Sequence, residues 1–206
     1  MVNRLEDKMT WEELVERTIS KIDRYKPAGF NKKHFKKWMM KRKGRGYLFD
    51  YLLIWKCYNI SKSLADDYDH FMIIAGKEGT GKSTLAIQIC SWIDLSFNPK
   101  RICFNIRQFL KELAERKPAQ AIQIDEAGLD LFSREAMNYM NRLLIKTFMI
   151  IRQRRLFVCL CLPNFHILDS YVRDHRVNTL LQIKQRGYYM GFLETAIKTI
   201  SKDGSR

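Results

Sequence analysis

From residue 70 onward the chain alternates short, uninterrupted apolar runs with longer amphipathic stretches. The run FMIIAG (71–76) is apolar or small throughout, which is the pattern of a strand buried on both faces. A helix is expected over Lys82–Asp94. RICFN (101–105) then reads as a second strand, IRQFLKELAERK (106–117) as a helix and AIQID (121–125) as a third strand. A long helix is expected from about Ser133 to Arg155, with Met137, Met140, Leu144, Phe148 and Ile151 on one stripe. LFVCLCL (156–162) is a fourth strand, and 166–176 a short helix. Residues 179–193 read as a strand or as a hairpin turning at Arg186-Gly187. Apolar strands alternating with helices predict an α/β fold whose mostly parallel sheet is covered on both faces.

The first 69 residues follow another pattern. Thr10 and Glu13 stand at capping-box spacing, and Leu14, Ile19 and Ile22 fall on one helical face, so a helix is expected there. Residues 47–69 read as a further helix. Between them, Lys32 to Arg45 holds eight Lys or Arg and no acid, with Phe35 and Trp38 interleaved. The chain is therefore read as a basic, mainly helical region over 1–69 and an α/β domain over 70–206, with no internal repeat.

Composition sharpens this picture in three ways. At 206 residues and 46% hydrophobic, the chain can bury a sizeable core. No apolar run reaches the length of a membrane span, and the N-terminus lacks the apolar core of a signal peptide, so a cytoplasmic location is expected. Lys and Arg outnumber acids by 37 to 22, a net charge of +15, which points to a polyanionic partner, most often nucleic acid, or alternatively to a merely soluble surface. Cys57, Cys90, Cys103, Cys159 and Cys161 form no metal-ligand spacing. They are expected as small core residues, with Cys159 and Cys161 on one face of their strand.

The most specific signal joins the first strand to the helix after it. Gly76, Gly81, Lys82 and Ser83 satisfy G-x-x-x-x-G-K-[ST], and the intervening Lys77, Glu78, Gly79 and Thr80 complete a phosphate-binding loop. Its backbone N–H groups are suited to cradle phosphate oxygens, with Thr84 at the helix start beside them. Lys82 is expected to reach the β- and γ-phosphates of ATP, and Ser83 to supply a hydroxyl to Mg²⁺. In AIQIDEAG an apolar strand delivers Asp125 and Glu126 at its C-terminal end, where ligands sit in open α/β sheets. This resembles a Walker B motif. Asp125 is expected in the Mg²⁺ shell, and Glu126 is suited to activate an attacking water.

With these motifs on the page, residues from about 70 to 185 resemble the P-loop ATPase division with a catalytic glutamate, of RecA-like core. Within it they are most similar to the FtsK/HerA-type DNA-pumping ATPases, viral genome-packaging ATPases and Zot-like phage assembly proteins. The finer placement rests on DEAG followed by a long helix, a basic cluster, a fourth strand with a polar exit and ILDSYVRDHR. The resemblance implies a polar residue after the fourth strand that senses the γ-phosphate. Asn164 stands there, where the family often has Gln. It also implies a ring in which an arginine reaches the neighbouring subunit's γ-phosphate. Arg173 and Arg176 are the first candidates, and Arg152, Arg154 and Arg155 the next. A capsid or membrane-complex partner is a further implication.

The basic segment offers Lys32, Lys33, Lys36, Lys37, Lys41, Arg42, Lys43 and Arg45 to a nucleic-acid backbone, with Trp38 or Phe35 able to stack on a base. The same spacing fits a basic helix whose aromatics pack inward. The leading expectation is Mg²⁺-dependent ATP hydrolysis coupled to nucleic-acid translocation. An AAA+-like switch or helicase loader that remodels a partner is the main alternative, and a nucleotide kinase a weaker one, since Glu126 suits water better than a small acceptor.

Overall fold

The computed structural model describes residues 9–25, 27–45, 50–125 and 134–203. The chain divides into two compact units, residues 1–62 and 63–206.

In the first unit, α1 (Trp11–Asp23) starts at Thr10. The Thr10 side chain accepts from the Glu13 N–H while the Glu13 carboxylate accepts from the Thr10 N–H, a closed capping box. Helix α2 (Lys32–Met40) is capped by the Asn31 side chain, which accepts from the His34 N–H. α3 spans Tyr51–Ala65, and the boundary between the units falls in its last turn. Leu14, Val15, Ile19, Ile22, Phe35 and Met39 are buried. The rings of Phe30, Phe35, Trp38, Trp55 and Tyr58 pack edge-on or offset, with centroids 5.1 to 6.0 Å apart.

The second unit is α/β. Its strands are β1 (His70–Ala75), β2 (Ile102–Cys103), β3 (Ala121–Ile124), β4 (Phe157–Leu162), β5 (Thr179–Gln185) and β6 (Tyr188–Leu193). They form one sheet in the order β2-β3-β4-β1-β5-β6, parallel except for the edge strand β6. Its helices are α4 (Lys82–Ile93), α5 (Ile106–Glu115), α6 (Arg134–Gln153), α7 (Ser170–His175) and α8 (Glu194–Asp203). β1, β3 and β4 are buried at every position, as continuous apolar runs require. Phe71, Ile73 and Ala75 of β1 join Phe109 and Leu113 of α5, Phe148 and Ile151 of α6, Val172 of α7 and Ile197 of α8 in one core. The alternate residues Met72, Ile74, Cys159 and Cys161 are buried on the opposite face, where α4 lies. All five cysteines are buried free thiols.

The mostly parallel sheet flanked by helices matches the sequence reading, as does the hairpin turning between Gln185 and Tyr188. α8 was not expected. Ile197 and Ile200 are its inward positions, and the segment is short enough that two apolar residues among polar ones give little periodic signal. Of the stripe expected on α6, Phe148 and Ile151 are buried, while the side chains of Met137, Met140 and Leu144 lie outside the described residues.

Candidate functional site

The sheet order decides where a ligand can sit. From β1 the chain crosses to the far edge, returns through β2, β3 and β4, and then passes to the other side of β1 to make β5. The order therefore reverses at β1 and β4, and the crevice at their C-terminal ends is the topological switch point. Gly76 follows β1 there, and its N–H donates to the Leu162 carbonyl at the end of β4 (3.1 Å).

The loop 76–81 is shaped by two glycines. A Cβ on Gly76 would stand 2.9 Å from the Ile183 carbonyl oxygen and 3.0 Å from the Ile183 Cβ, so the loop lies directly on β5 with no room for a side chain. Gly81 adopts φ +94°, ψ 22°, the left-handed conformation that delivers the chain into α4. Having no side chain, it leaves the first-turn N–H groups of α4 uncapped by itself, and these carry the helix's partial positive charge.

Lys82 is buried, although lysine is seldom so. Its Nζ donates to the Gly76 carbonyl (2.8 Å) and to the Lys77 carbonyl (3.2 Å), curling back across the loop. Thr80 Oγ1 donates to the Lys77 carbonyl (2.7 Å) and stiffens the same turn. Lys77, Glu78, Gly79 and Thr84 are exposed along the rim. A cation is thus held inside a concave ring of backbone, paired with weak carbonyl acceptors that a phosphate can replace.

Asp125 directly follows β3 and is buried, its N–H donating to the Cys103 carbonyl (2.9 Å). By alternation with Gln123 it lies on the α4 face of the sheet. Gln123, a fully buried amide within an otherwise apolar strand, connects the two motifs: its Nε2 donates to Asp125 Oδ2 (3.3 Å) and to the Ser83 carbonyl (3.4 Å). Its Oε1 is buried with no hydrogen-bond partner among the described residues. An orphaned acceptor beside a carboxylate and the helix-start serine suits one more donor, such as a metal-bound water. Sequence reasoning passed over Gln123, yet a lone amide in AIQID was a readable signal. Among the described residues no group of three or more His, Cys, Asp or Glu is placed to hold a metal ion. Glu126 lies outside the described residues.

Asn164 is exposed two residues beyond Leu162, at the mouth of the crevice, where its Oδ1 accepts from the His166 N–H (3.0 Å) and caps a short turn. The five arginines are spent differently. Arg173 is buried, with Nη1 2.9 Å from His166 Nδ1. Since a guanidinium only donates, that nitrogen accepts. Arg176 pairs with Asp69 (2.7 Å), just before β1 at the end of the sheet away from the loop, and lies 4.4 Å from the Phe148 ring centre. Arg154 donates to the carbonyls of Ala114 (2.6 Å) and Arg116 (3.0 Å), closing the C-terminal end of α5, and Arg155 pairs with Asp67. Arg152 is exposed.

The basic segment, wholly within the first unit, sorts into two sets. Lys32 pairs with Asp23 (2.8 Å), Lys36 with Glu16, and Lys43 with Glu12 (3.2 Å), so these three link α2 and the turn after it to α1. Lys33, Lys37 and Lys41 recur every fourth residue on another face, are exposed, and make no ion pair among the described residues. Arg42 is buried, with its guanidinium carbon 3.6 Å from the Trp38 ring centre and Nη1 donating to the Trp38 carbonyl (2.7 Å). Burial pushes its pKa down to about 9. Trp38 itself is half-buried against Phe35 and Tyr58. That placement differs from a base-stacking Trp38 and a phosphate-facing Arg42. Arg45 is half-buried at the end of the segment.

No family model matches the chain, and neither does any curated protein. Among the described residues no helix is long and apolar enough to cross a membrane.

Proposed function

We propose that residues 70–206 form a P-loop ATPase domain of RecA-like core, which binds ATP with Mg²⁺, hydrolyses it and couples turnover to movement along nucleic acid. The observation that carries this reading is the joined site: Lys82 held inside the loop 76–81, with Ser83 linked through Gln123 to Asp125. Ser83 and Asp125 would hold the Mg²⁺ ion, which when bound neutralises charge on the phosphate oxygens. Lys82 exchanges its loop carbonyls for the phosphates, and the α4 N-terminus receives the same anion. Glu126, one residue beyond Asp125, accepts the proton of the attacking water. Asn164 reports the γ-phosphate at the crevice mouth. Lys33, Lys37 and Lys41 supply the polyanion face, consistent with the net charge of +15.

As in the motors it resembles, the domain assembles into a ring, with an arginine inserted from the next subunit. A second reading, a switch that remodels a partner protein, is favoured by one observation. Arg173 and Arg176 are both engaged inside their own chain, which favours an arginine supplied by a partner over either of these two reaching a second copy. Phosphate release should be measured over a range of chain concentrations, alone and with double-stranded DNA, single-stranded DNA or RNA. The motor reading expects stimulation by one of these polymers and activity per subunit that rises with concentration. Activity indifferent to both favours the switch, and no hydrolysis under any condition overturns the enzymatic reading.

A further inference from the structure

The hairpin joining β5 to β6 lies against the phosphate loop. Ile183 of β5 packs so tightly on Gly76 that a single added carbon would meet its carbonyl. Three residues on, at the turn, Arg186 Nη2 donates to the Gly79 carbonyl (3.3 Å), in the middle of the loop. The side chain is exposed, and Gly79 is exposed with it. Two cations from different elements therefore rest on carbonyls of one short loop: Lys82 on Gly76 and Lys77 from the inside, and Arg186 on Gly79 from the hairpin.

We infer that Arg186 is a polyphosphate-binding residue acting in cis, held on the Gly79 carbonyl until a nucleotide enters and then transferred to its phosphates. The inference rests on the nucleotide-binding reading above and adds a residue that neither motif contains. A neutral carbonyl is a weak partner for a guanidinium, whereas a phosphate accepts two parallel N–H donors and carries the opposite charge. Transfer from Gly79 needs only rotation of a solvent-exposed side chain on a hairpin already fixed beside the loop. The proposal gives the antiparallel β6 a purpose in the site: without it, β5 would end with no turn to carry a cation over the loop. It also supplies a cis cation that does not depend on assembly, in contrast to Arg173 and Arg176.

The test is equilibrium binding of ATP and of inorganic tripolyphosphate to the full chain and to Arg186→Ala, Arg186→Gln and Lys82→Ala. Arg186→Gln keeps a donor for the Gly79 carbonyl while removing the charge, so it separates loop support from phosphate contact. Both Arg186 variants should weaken ATP and tripolyphosphate alike by about tenfold, with unchanged melting in the absence of nucleotide. If Arg186→Gln binds both ligands as the unaltered chain does, the inference is wrong. Weaker ATP with unchanged tripolyphosphate would place Arg186 on the base and also overturn it. Should Arg186→Ala fail to fold, Arg186→Gln still decides. If the unaltered chain binds neither ligand, the nucleotide-binding reading fails together with this one, whereas loss on Lys82→Ala alone leaves that reading intact and removes only Arg186.

Discussion

The loop after β1 and the basic helix α2 both offer cations to an anion, but they reach that condition by different routes. In the loop, the residues of the motif lie within eight consecutive positions: two glycines shape the backbone, and Lys82 bonds to carbonyls five and six positions away. On α2 and the turn after it, half of the story lies on another helix. Three of the lysines are matched by Glu12, Glu16 and Asp23 of α1, and Arg42 is folded under Trp38. Local chemistry can be read from a run of residues. Charge cannot, because a run of Lys and Arg says nothing about the acids that will face it.

The largest effect should come from the residue that completes the loop's chemistry. Glu126→Gln is expected to retain ATP binding and to slow phosphate release by about 10²-fold or more, as loss of a general base does. Near-normal turnover would confine Glu126 to a structural role and leave the loop as a binding site alone. Next is Gly76→Ala. The added carbon meets backbone rather than a flexible side chain, so the loop or β5 must shift. A loss of at least about tenfold in ATP affinity is expected, together with a stability cost of about 1–3 kcal/mol, read from urea unfolding. An unchanged affinity would mean that the loop tolerates displacement and that its close packing is incidental.

The two sets of lysines provide the matching test on α2. Neutralising Lys33, Lys37 and Lys41 together should flatten the dependence of log nucleic-acid affinity on log salt by up to about three, since each lost phosphate contact removes roughly one unit. Neutralising Lys32, Lys36 and Lys43 should leave that slope nearly intact and change stability little, because all three pairs are exposed and screened by solvent. Equal effects from both sets would erase the distinction drawn between the two faces.

A contrast of another kind tests packing in both units at once. Burial pushes the Cys57 thiol in the first unit and the Cys103 thiol in the second up to about 12. Because the folded values are raised, their contribution to stability is complete below the ordinary thiol range near 9 and is lost as pH rises from there toward 12. At pH 8 the folded chain should react with a thiol-specific disulfide reagent at least about 100-fold more slowly than the denatured chain. Rapid labelling of Cys57 alone would show that the first unit opens independently of the sheet.

How much was legible follows from the same contrast. Strands β1, β3 and β4 announce themselves as unbroken apolar runs because they are buried on both faces. β6, whose residues are mostly exposed, could be read only through the turn that precedes it. The positions of Lys82, Ser83 and Asp125 could be inferred from motif context, but the bridge through Gln123 could not. It depends on β3 lying under the start of α4, a relation between residues forty positions apart. Arg154 shows the same limit: nothing in the run RQRR names its partners, and it closes the end of α5 through carbonyls about forty residues earlier. Arg173 and Arg176 are finger candidates only through the family resemblance, and the sequence conceals the partners they have within their own chain, His166 and Asp69.

The most direct measurement of the central claim is calorimetric titration of the full chain with Mg·ATP, beside Lys82→Ala. The account predicts one site per chain on the unaltered protein, and at least a hundredfold weaker binding once the buried ammonium is removed, since a charge-assisted contact to phosphate is lost while the loop backbone remains. Equal affinity of the two proteins for Mg·ATP would contradict it.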